Sequence, residues 1–229
     1  MLLSWSGGKD SAWALHLLKR EPSVEVIGLL TTFNSEFDRV AMHAVRRELM
    51  EAQAAAAGLP LWAIQLPWPC SNDQYETCMR RALDRAMSEG IQTVAFGDLF
   101  LQDIRAYRET EMAKVGMTPI FPVWGLETSA LAQEMIASGL KARLTCVDPR
   151  KLDKSFAGRD FDESLVRGLP PGADPCGENG EFHTFVYAGP MFNQDIPVDV
   201  GEVVERDGFI FADLLPRDAM VRTASVAPE

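Results

Sequence analysis

The chain has 229 residues, of which 47% are hydrophobic, and a formal net charge of −11 at pH 7. This size allows one large domain or a domain with a smaller companion, while the negative charge argues against broad electrostatic binding of nucleic acid. The lack of a long uninterrupted apolar run argues against a membrane span. Four cysteines without CxxC pairing argue against a structural zinc site. We therefore expect a cytoplasmic protein with reduced thiols.

The first element is a short apolar strand over residues 1–3, and a glycine-rich loop connects it to a helical pattern over residues 12–18. Adjacent glycines can aim successive backbone N–H groups into one concave anion site, and a helix that starts near Ser11 adds its positive dipole end. Lys9 supplies a mobile positive charge, and Asp10 either caps the helix or faces a magnesium ion. The alternative is an ordinary strand-to-helix turn with a good N-cap. The predicted phosphate-binding residues are Ser6, Gly7, Gly8, Lys9, Asp10 and Ser11.

Strand and helix patterns alternate through the first half of the chain. A near-continuous apolar run over residues 24–32 predicts a strand covered on both faces, which is typical of parallel sheets. An apolar stripe from Ala41 to Ala56 predicts a helix that ends at Gly58. Further patterns predict a strand over 61–66, a helix over 73–89 and a strand over 93–96. The alternation predicts a doubly wound, mainly parallel α/β sheet.

Ligands of doubly wound sheets bind beyond the carboxyl ends of the strands, near the point where strand order reverses. Besides the glycine-rich loop, this edge carries Thr31 on the second strand, and Gly97 and Asp98 after the strand over 93–96. The Thr31 segment could present backbone groups to an adenine ring, although threonine and asparagine are also common turn residues at strand ends.

Charged residues follow Asp98 at helical spacing. Arg105, Arg108 and Glu109 either extend the ligand edge or belong to an ordinary exposed helix with ion pairs. The spacing alone does not separate these two interpretations.

The pattern changes from Pro119 onward. It predicts a helix over 128–138, strands over 140–147, 182–187 and 209–211, and a hairpin turn over 206–208. We interpret residues 119–229 as a smaller C-terminal α/β domain on the substrate side, following a nucleotide-binding domain over 1–118. About ten residues at the end are expected to be flexible.

An acidic turn directly precedes the strand over 182–187. Glu178 and Glu181 flank Asn179 and Gly180 there, and His183 follows on the strand. Carboxylates in this position could deprotonate a nitrogen nucleophile or hold a cation such as ammonium or magnesium. A Gly-Glu-Asn-Gly turn is also common in solvated loops, and His183 is either a tuned acid or base or a strand-face histidine with one hydrogen bond.

In order and spacing, these clusters resemble the diphthine:ammonia ligase family, a PP-loop group of the adenine nucleotide alpha hydrolase-like superfamily. The resemblance covers residues 1 to about 195. It is carried by Ser6 to Ser11, by Gly97-Asp98-Leu99 with Arg105 and Glu109, and by residues 177–184.

The resemblance implies a PP-loop (HUP) fold and an enzyme that adenylates a carboxylate with ATP, releases AMP and pyrophosphate, and lets ammonia form an amide. The acceptor carboxylate belongs to a small molecule or to a protein side chain, and a homodimer is compatible with the aromatic residues of the second half. The implied ATP and Mg²⁺ site comprises Ser6 to Ser11 with the metal at Asp10, together with Thr31, Gly97 and Asp98. The implied catalytic residues are Lys9, Arg105, Glu178 and Glu181, and the implied acceptor-binding residues are Glu109, Asn179, Gly180 and His183.

The chain departs from the family pattern on the acceptor side. Asp103-Ile104 stands where family members usually carry Tyr-Gln, Asn179 replaces a glycine, and His183 replaces a glutamate. The sequence therefore leaves the acceptor open. The sequence also leaves two alternative functions open. One is a PP-loop enzyme that modifies a nucleobase, and the other is an adenine-nucleotide sensor without turnover.

Overall fold

A computed structural model describes residues 1–40 and 43–217 and places their strands in two sheets. The elements of the first half are β1 (Leu2–Ser4), α1 (Lys9–Lys19), β2 (Gly28–Asn34), β3 (Arg39–Val40), α2 (Arg47–Ala57), β4 (Leu61–Leu66), α3 (Asn72–Ser88), β5 (Thr93–Ala95), α4 (Gln102–Lys114) and β6 (Thr118–Ile120). Those of the second half are α5 (Thr128–Ala137), β7 (Lys141–Val147), a 3-10 turn (Lys154–Phe156), α6 (Glu163–Arg167), β8 (Phe182–Ala188), β9 (Val198–Arg206) and β10 (Phe209–Pro216).

The first sheet is parallel except for one short strand. Its parallel strands lie in the order β4-β2-β1-β5-β6, and β3 adds antiparallel to the end of β2. The chain runs outward from β1 through β2 and β4, then continues on the other side through β5 and β6, so strand order reverses between β1 and β5. This arrangement confirms the predicted doubly wound sheet, and it puts the loop after β1 at the switch point, where such sheets bind ligands.

The second sheet is antiparallel, with strand order β8-β7-β10-β9. Asp207 and Gly208 join β9 to β10 with φ angles of 53° and 78°, the two positive values that a two-residue type I′ hairpin requires. The hairpin turn and the smaller C-terminal α/β unit are therefore confirmed. The boundary at residue 118 stays a prediction, since β6 straddles it and pairs with β5, and the expected flexible end lies outside the described residues.

Two predicted elements begin later than the sequence suggested. The strand predicted over 24–32 starts at Gly28, where pairing with Leu2 of β1 begins. The helix predicted from Ala41, a residue outside the described part, starts at Arg47 because Ala44 has a φ of 55°, which is incompatible with a right-handed helix. Helix α4 and the short strands β3 and β6 were not predicted as separate elements.

One buried amide side chain connects both sheets to the loop after β1. Gln53 of α2 accepts a hydrogen bond from Trp5 Nε1 at 2.9 Å and donates to the carbonyls of Gly7 (2.9 Å) and Val186 (2.6 Å). The Gly7 carbonyl also accepts from the Val186 N–H on β8 at 2.9 Å. Because Gln53 is fully buried, its amide and the groups that it contacts form their hydrogen bonds with one another rather than with water.

Replacement of Gln53 by Leu should lower the free energy of unfolding by about 2 to 4 kcal/mol, because it leaves Trp5 Nε1 and the Val186 carbonyl buried without partners. Urea denaturation measures this loss. The control is Glu51→Leu, at an exposed position of the same helix, which should stay within about 0.5 kcal/mol of the parent. Equal stability of the two variants would contradict the connecting role of Gln53.

Candidate active site

The glycine-rich loop leaves β1 after Ser4 and enters α1 at Lys9. Gly7 has a φ of 77°, and a Cβ there would lie 2.8 Å from Gln53 Oε1 and from Met50 Sδ, so both the backbone angle and the space require glycine. The N-cap of α1 is Gly8 and the helix begins at Lys9, two residues before the predicted start near Ser11. The capping role predicted for Asp10 is therefore wrong.

Two serine hydroxyls hold the shape of this loop. Ser6 Oγ accepts from the Gly8 N–H at 3.3 Å and lies 3.2 Å from Ser11 Oγ, which donates to the Gly8 carbonyl at 3.0 Å. The Lys9 N–H, in the first turn of α1, donates to Thr184 Oγ1 of β8 at 3.0 Å. The second sheet therefore contributes directly to the N-terminus of the first helix.

Lys9 is almost completely buried and forms an ion pair with its neighbour. Its Nζ lies 2.9 Å from Asp10 Oδ2 and 5.4 Å from the centre of the Phe182 ring. Burial opposes the charge of Lys9 and is the largest single influence, but the Asp10 carboxylate together with Cys176 and Glu178 outweighs it and raises the pKa of Lys9 above its ordinary value. A buried, permanent positive charge thus sits at the start of α1.

The second oxygen of Asp10, Oδ1, is buried and has no hydrogen-bond partner among the residues that the structure describes. Within the same residues, no group of three or more His, Cys, Asp or Glu side chains could hold a metal ion. Magnesium commonly takes one or two protein carboxylates and completes its shell with phosphate oxygens and water. The unpartnered Asp10 oxygen suits that arrangement.

Gly97 brings the end of β5 against this loop. A Cβ at Gly97 would lie 2.9 Å from the Asp10 carbonyl carbon and from the Ser11 nitrogen, a distance that real Cβ atoms do not reach. The next residue, Asp98, faces the same space and accepts a hydrogen bond of 3.4 Å from Arg108 Nε. The structure thus brings Gly97 and Asp98 to the loop, as the sequence predicted.

Thr31 is not part of this space. Its hydroxyl is buried and donates to the Trp5 carbonyl at 2.8 Å, whereas the side chain of the next residue, Thr32, lines the cavity. Side chains alternate between the faces of a strand. The side chain of Thr32 therefore faces the cavity, and that of Thr31, the predicted residue, faces the opposite side of the sheet.

Helix α4 turns Arg108 toward the cavity and Arg105 away from it. Arg105 Nε donates to Glu109 Oε1 at 2.8 Å, and its guanidinium lies 4.7 Å from the rings of Phe121 and Trp124. Neither Arg105 nor Glu109 lines the cavity, whereas Arg108 does. Arg105 and Glu109 thus form the helix ion pair of the second interpretation, and their catalytic and acceptor-binding roles stay predictions.

Asp174 organises the acidic turn, and the sequence reasoning missed it. Its carboxylate accepts hydrogen bonds from the N–H groups of Cys176 (2.8 Å) and Glu178 (3.2 Å) and from Thr128 Oγ1 (2.7 Å). The available signal was the Asp-Pro pair at 174–175, since aspartate before proline favours turn initiation.

Glu178 is the acidic residue that the turn presents to the cavity. Its Oε1 accepts from the Leu99 N–H at 2.8 Å. Burial raises the pKa of Glu178 to about 7, and the charges of Asp10 and Asp98 act in the same direction. A carboxyl group with this pKa can exchange a proton at neutral pH, as general acid–base catalysis requires.

Glu181 and Asn179 are placed differently from the prediction. Glu181 is buried and accepts a hydrogen bond from the Asp174 N–H at 3.0 Å. It therefore stabilises the turn from outside the cavity. The Asn179 carbonyl accepts from Lys151 Nζ at the surface. Neither residue lines the cavity, whereas Gly180 does.

His183 lies beside a second histidine that sequence reasoning missed. The rings of His43 and His183 are 4.5 Å apart between centroids, and the His43 ring is 3.3 Å from the Thr184 carbonyl through Nδ1. Burial lowers the pKa of His43 to about 3 and that of His183 to about 4. Both rings are therefore neutral at physiological pH, and no local spacing in the sequence marks His43.

The glycine-rich loop, the end of β5, helix α4, the acidic turn and the two histidines all contribute side chains to one cavity of about 540 Å³. It opens at the switch point of the first sheet and continues between α3 and α4. The predicted residues on its wall are Ser6, Lys9, Asp10, Ser11, Gly97, Asp98, Glu178, Gly180 and His183.

Comparison with known proteins covers both halves of the chain. Residues 1–119 match the diphthamide synthase N-terminal domain, and residues 127–212 match the diphthamide synthase C-terminal domain. The chain belongs to the diphthamide synthase family.

Among its relatives are proteins named diphthine–ammonia ligase. The Bos taurus protein is 24% identical over 233 residues, covering 90% of this chain and 85% of the relative, and the Danio rerio protein is 26% identical over 229 residues, covering 90% and 89%. A Schizosaccharomyces pombe protein of the same name is 25% identical over 219 residues, covering 87% of this chain and 36% of the relative. None of the helices that the structure describes is long and apolar enough to cross a membrane.

The departures from the sequence pattern of the diphthamide synthase family fall partly on the cavity wall. Ile104 and His183 line the cavity, whereas Asn179 lies outside it. The two differences on the wall fall in different places, since Ile104 stands on α4, whereas the His183 ring stacks on His43, whose own ring lies beside Gly8 of the phosphate-binding loop.

The variant Gly97→Ala should weaken ATP binding by about tenfold or more, because its Cβ would collide with the backbone of Asp10 and Ser11 and displace the N-terminus of α1. Isothermal titration of ATP measures the affinity. The control is Gly201→Ala in the second sheet, where the nearest atoms belong to the Leu215 side chain. Unchanged affinity in Gly97→Ala would contradict the tight contact.

The raised pKa of Glu178 predicts a pH-dependent difference in stability. Because the folded state retains the proton up to about pH 7 while an unfolded chain releases it near pH 4.5, the parent should lose stability relative to Glu178→Gln as pH rises between these values. The expected change is about 2 kcal/mol, less than the full shift because part of the side chain meets water. Unfolding of both proteins at pH 4.5, 6 and 8 measures it, and parallel curves would contradict the raised pKa.

Proposed function

We propose that this chain is an ATP-dependent carbon–nitrogen ligase that activates a carboxylate as an acyl adenylate and lets ammonia convert it to an amide. The observation that carries the proposal is the presence, in one cavity, of the Lys9–Asp10 phosphate loop and of Glu178 with a pKa near 7. The relatives that match 90% of this chain are named diphthine–ammonia ligase, which supports the same chemistry.

The nucleotide side of the site consists of the loop and the start of α1. Backbone N–H groups at a helix N-terminus bind phosphate oxygens, Lys9 adds a fixed positive charge, and the hydroxyls of Ser6 and Ser11 lie beside it. Mg²⁺ would be held by Asp10 together with phosphate oxygens, and it would neutralise charge on the departing pyrophosphate.

The reaction proceeds in two balanced steps. A carboxylate oxygen of the acceptor attacks the α-phosphorus of ATP, the bond between the α-phosphorus and the bridging oxygen breaks, and pyrophosphate leaves. Ammonia then attacks the acyl carbon, AMP leaves with the carboxylate oxygen, and the amide retains two hydrogens. The surplus proton passes from nitrogen to a base, for which Glu178 is the candidate.

Glu178 suits this role because its carboxylate is buried near the loop and titrates close to neutral pH. A base with a pKa near the operating pH accepts a proton readily, and roughly half of it is in the basic form at that pH. A nucleotide sensor without turnover would not require such a group, and the names of the relatives do not favour a nucleobase-modifying enzyme.

The acceptor is proposed only as a class, a carboxylate on a small molecule or a protein side chain. The name of the relatives identifies diphthine as the substrate of those proteins, and it is the first acceptor to test here. A cytoplasmic location and a homodimer remain predictions.

The reaction products test the proposal directly. The chain is incubated with ATP, Mg²⁺, ammonium and either a diphthine-bearing protein or a panel of small carboxylates. It should release AMP and pyrophosphate in equal amounts, and ADP as the sole product would refute the ligase proposal.

Glu178→Gln should lower amide formation by about 10² to 10⁴ with unchanged ATP affinity. The control Glu163→Gln, on the exposed part of α6, should retain full activity.

A further inference from the structure

The cavity continues beyond the phosphate loop into a groove between α3 and α4. Helix α3 packs on the outer strand β4, and α4 packs on the opposite outer strand β6. Leu30 of β2 and Val94 of β5, both buried, lie beneath the groove on this face. We call this space the α3–α4 groove.

The walls of the α3–α4 groove combine apolar and aromatic side chains with charged ones, among them Glu76 and Arg80 on α3 and Glu111 and Lys114 on α4. Met79 lines it from α3, and Ile104 lines it from α4. Tyr75 and Tyr107 stand on opposite helices at its outer part, where Ile104 and Tyr107 are 40% and 42% exposed. Large apolar groups that stay accessible at the wall of a cavity favour a ligand with an apolar body.

Arg108 stands where the α3–α4 groove meets the phosphate site. Its guanidinium packs 4.7 Å from the centre of the Phe96 ring, and Nε reaches Asp98 at 3.4 Å, a long hydrogen bond. Stacking fixes the plane of the guanidinium, and a planar fork of N–H groups matches the two oxygens of a carboxylate. The inner end of the groove is therefore equipped to hold an acid group close to the phosphates.

The charge at the outer part of the groove is balanced within helix α4. Glu111 lies 2.6 Å from Lys114 Nζ, so this carboxylate is already paired. Arg108, which pairs with Asp98, thus stands at the inner end of the groove, and both apolar and charged side chains line the walls beyond it.

The cavity offers a separate direction for the nucleoside. On the β2 side of the loop, Thr32, Val40 and His43 line the wall. A nucleotide whose phosphates lie on the loop and whose base extends along β2 leaves the α3–α4 groove free for the second substrate.

We propose that the α3–α4 groove is the acceptor site and that the acceptor is a carboxylic acid with an apolar or aromatic body. Its carboxylate binds Arg108 beside the α-phosphate, and its body packs between Met79, Ile104 and Tyr107. This inference rests on the proposed ligase function and specifies its substrate class.

Binding of a simple probe tests the acceptor site without turnover. The full chain is saturated with Mg²⁺ and α,β-methylene ATP, which cannot be cleaved between the α- and β-phosphates, and is then titrated with 3-phenylpropanoate or with succinate. The parent should bind 3-phenylpropanoate more tightly than succinate. Arg108→Gln should weaken this binding by about tenfold or more, as expected for loss of a bidentate ion pair.

An exposed arginine supplies the matched control. Arg167→Gln removes an arginine of α6 that lies outside the cavity, and it should leave probe affinity within about twofold of the parent. A second variant, Met79→Trp, fills the groove and should weaken the probe while the affinity for the ATP analogue is unchanged, which also shows that the variant is folded.

Three results would overturn the acceptor site: equal losses in the two arginine variants, tighter binding of succinate than of the probe, or displacement of the ATP analogue by the probe. The last result would assign the groove to the nucleoside. Because these measurements require no turnover, they are independent of the product analysis, in which a failure to form AMP would count against the ligase proposal itself.

Discussion

The site depends on the hydrogen bonds that the Gly7 carbonyl accepts from the Val186 N–H and the Gln53 amide. They attach the phosphate loop of a parallel sheet to the edge of an antiparallel sheet, so that Thr184 and Glu178 reach the N-terminus of α1. Neither half of the chain contains a complete site. A loop of this type can hold phosphate in many doubly wound proteins, but the second sheet adds the acidic group that the proposed chemistry requires.

Sequence patterns predicted the features that depend on neighbouring residues. The strand at 61–66 and the helix from 73 follow from periodicity, and the Asp207-Gly208 hairpin follows from turn chemistry. The choice between Arg105 and Arg108 could not be predicted, because the face that a helix presents to a cavity is decided by what packs against it. Gln53, His43 and Asp174 were missed for the same reason, since their partners include residues far away in sequence.

The electrostatics of the cavity differ from those of the chain as a whole. A net charge of −11 disfavours anions over the surface at large, yet Lys9 and Arg108 place two cations along one wall. Three carboxylates, Asp10, Asp98 and Glu178, share the same space, and their mutual repulsion adds to burial in keeping Glu178 protonated up to neutral pH. Such a site can be both a receptor for anions and a proton acceptor because the two functions reside on different side chains.

The stacked rings of His43 and His183 have a consequence for regulation. Histidine is usually the group through which a protein senses mild acidification, but burial keeps the pKa of each ring at about 3 or 4, below any acidity that a cell normally reaches. The pair therefore fills space and offers polar edges without ever becoming a charge sensor. The uncharged pair leaves the positive charge of the cavity to Lys9 and Arg108, and Glu178 is the cavity group that titrates near neutral pH.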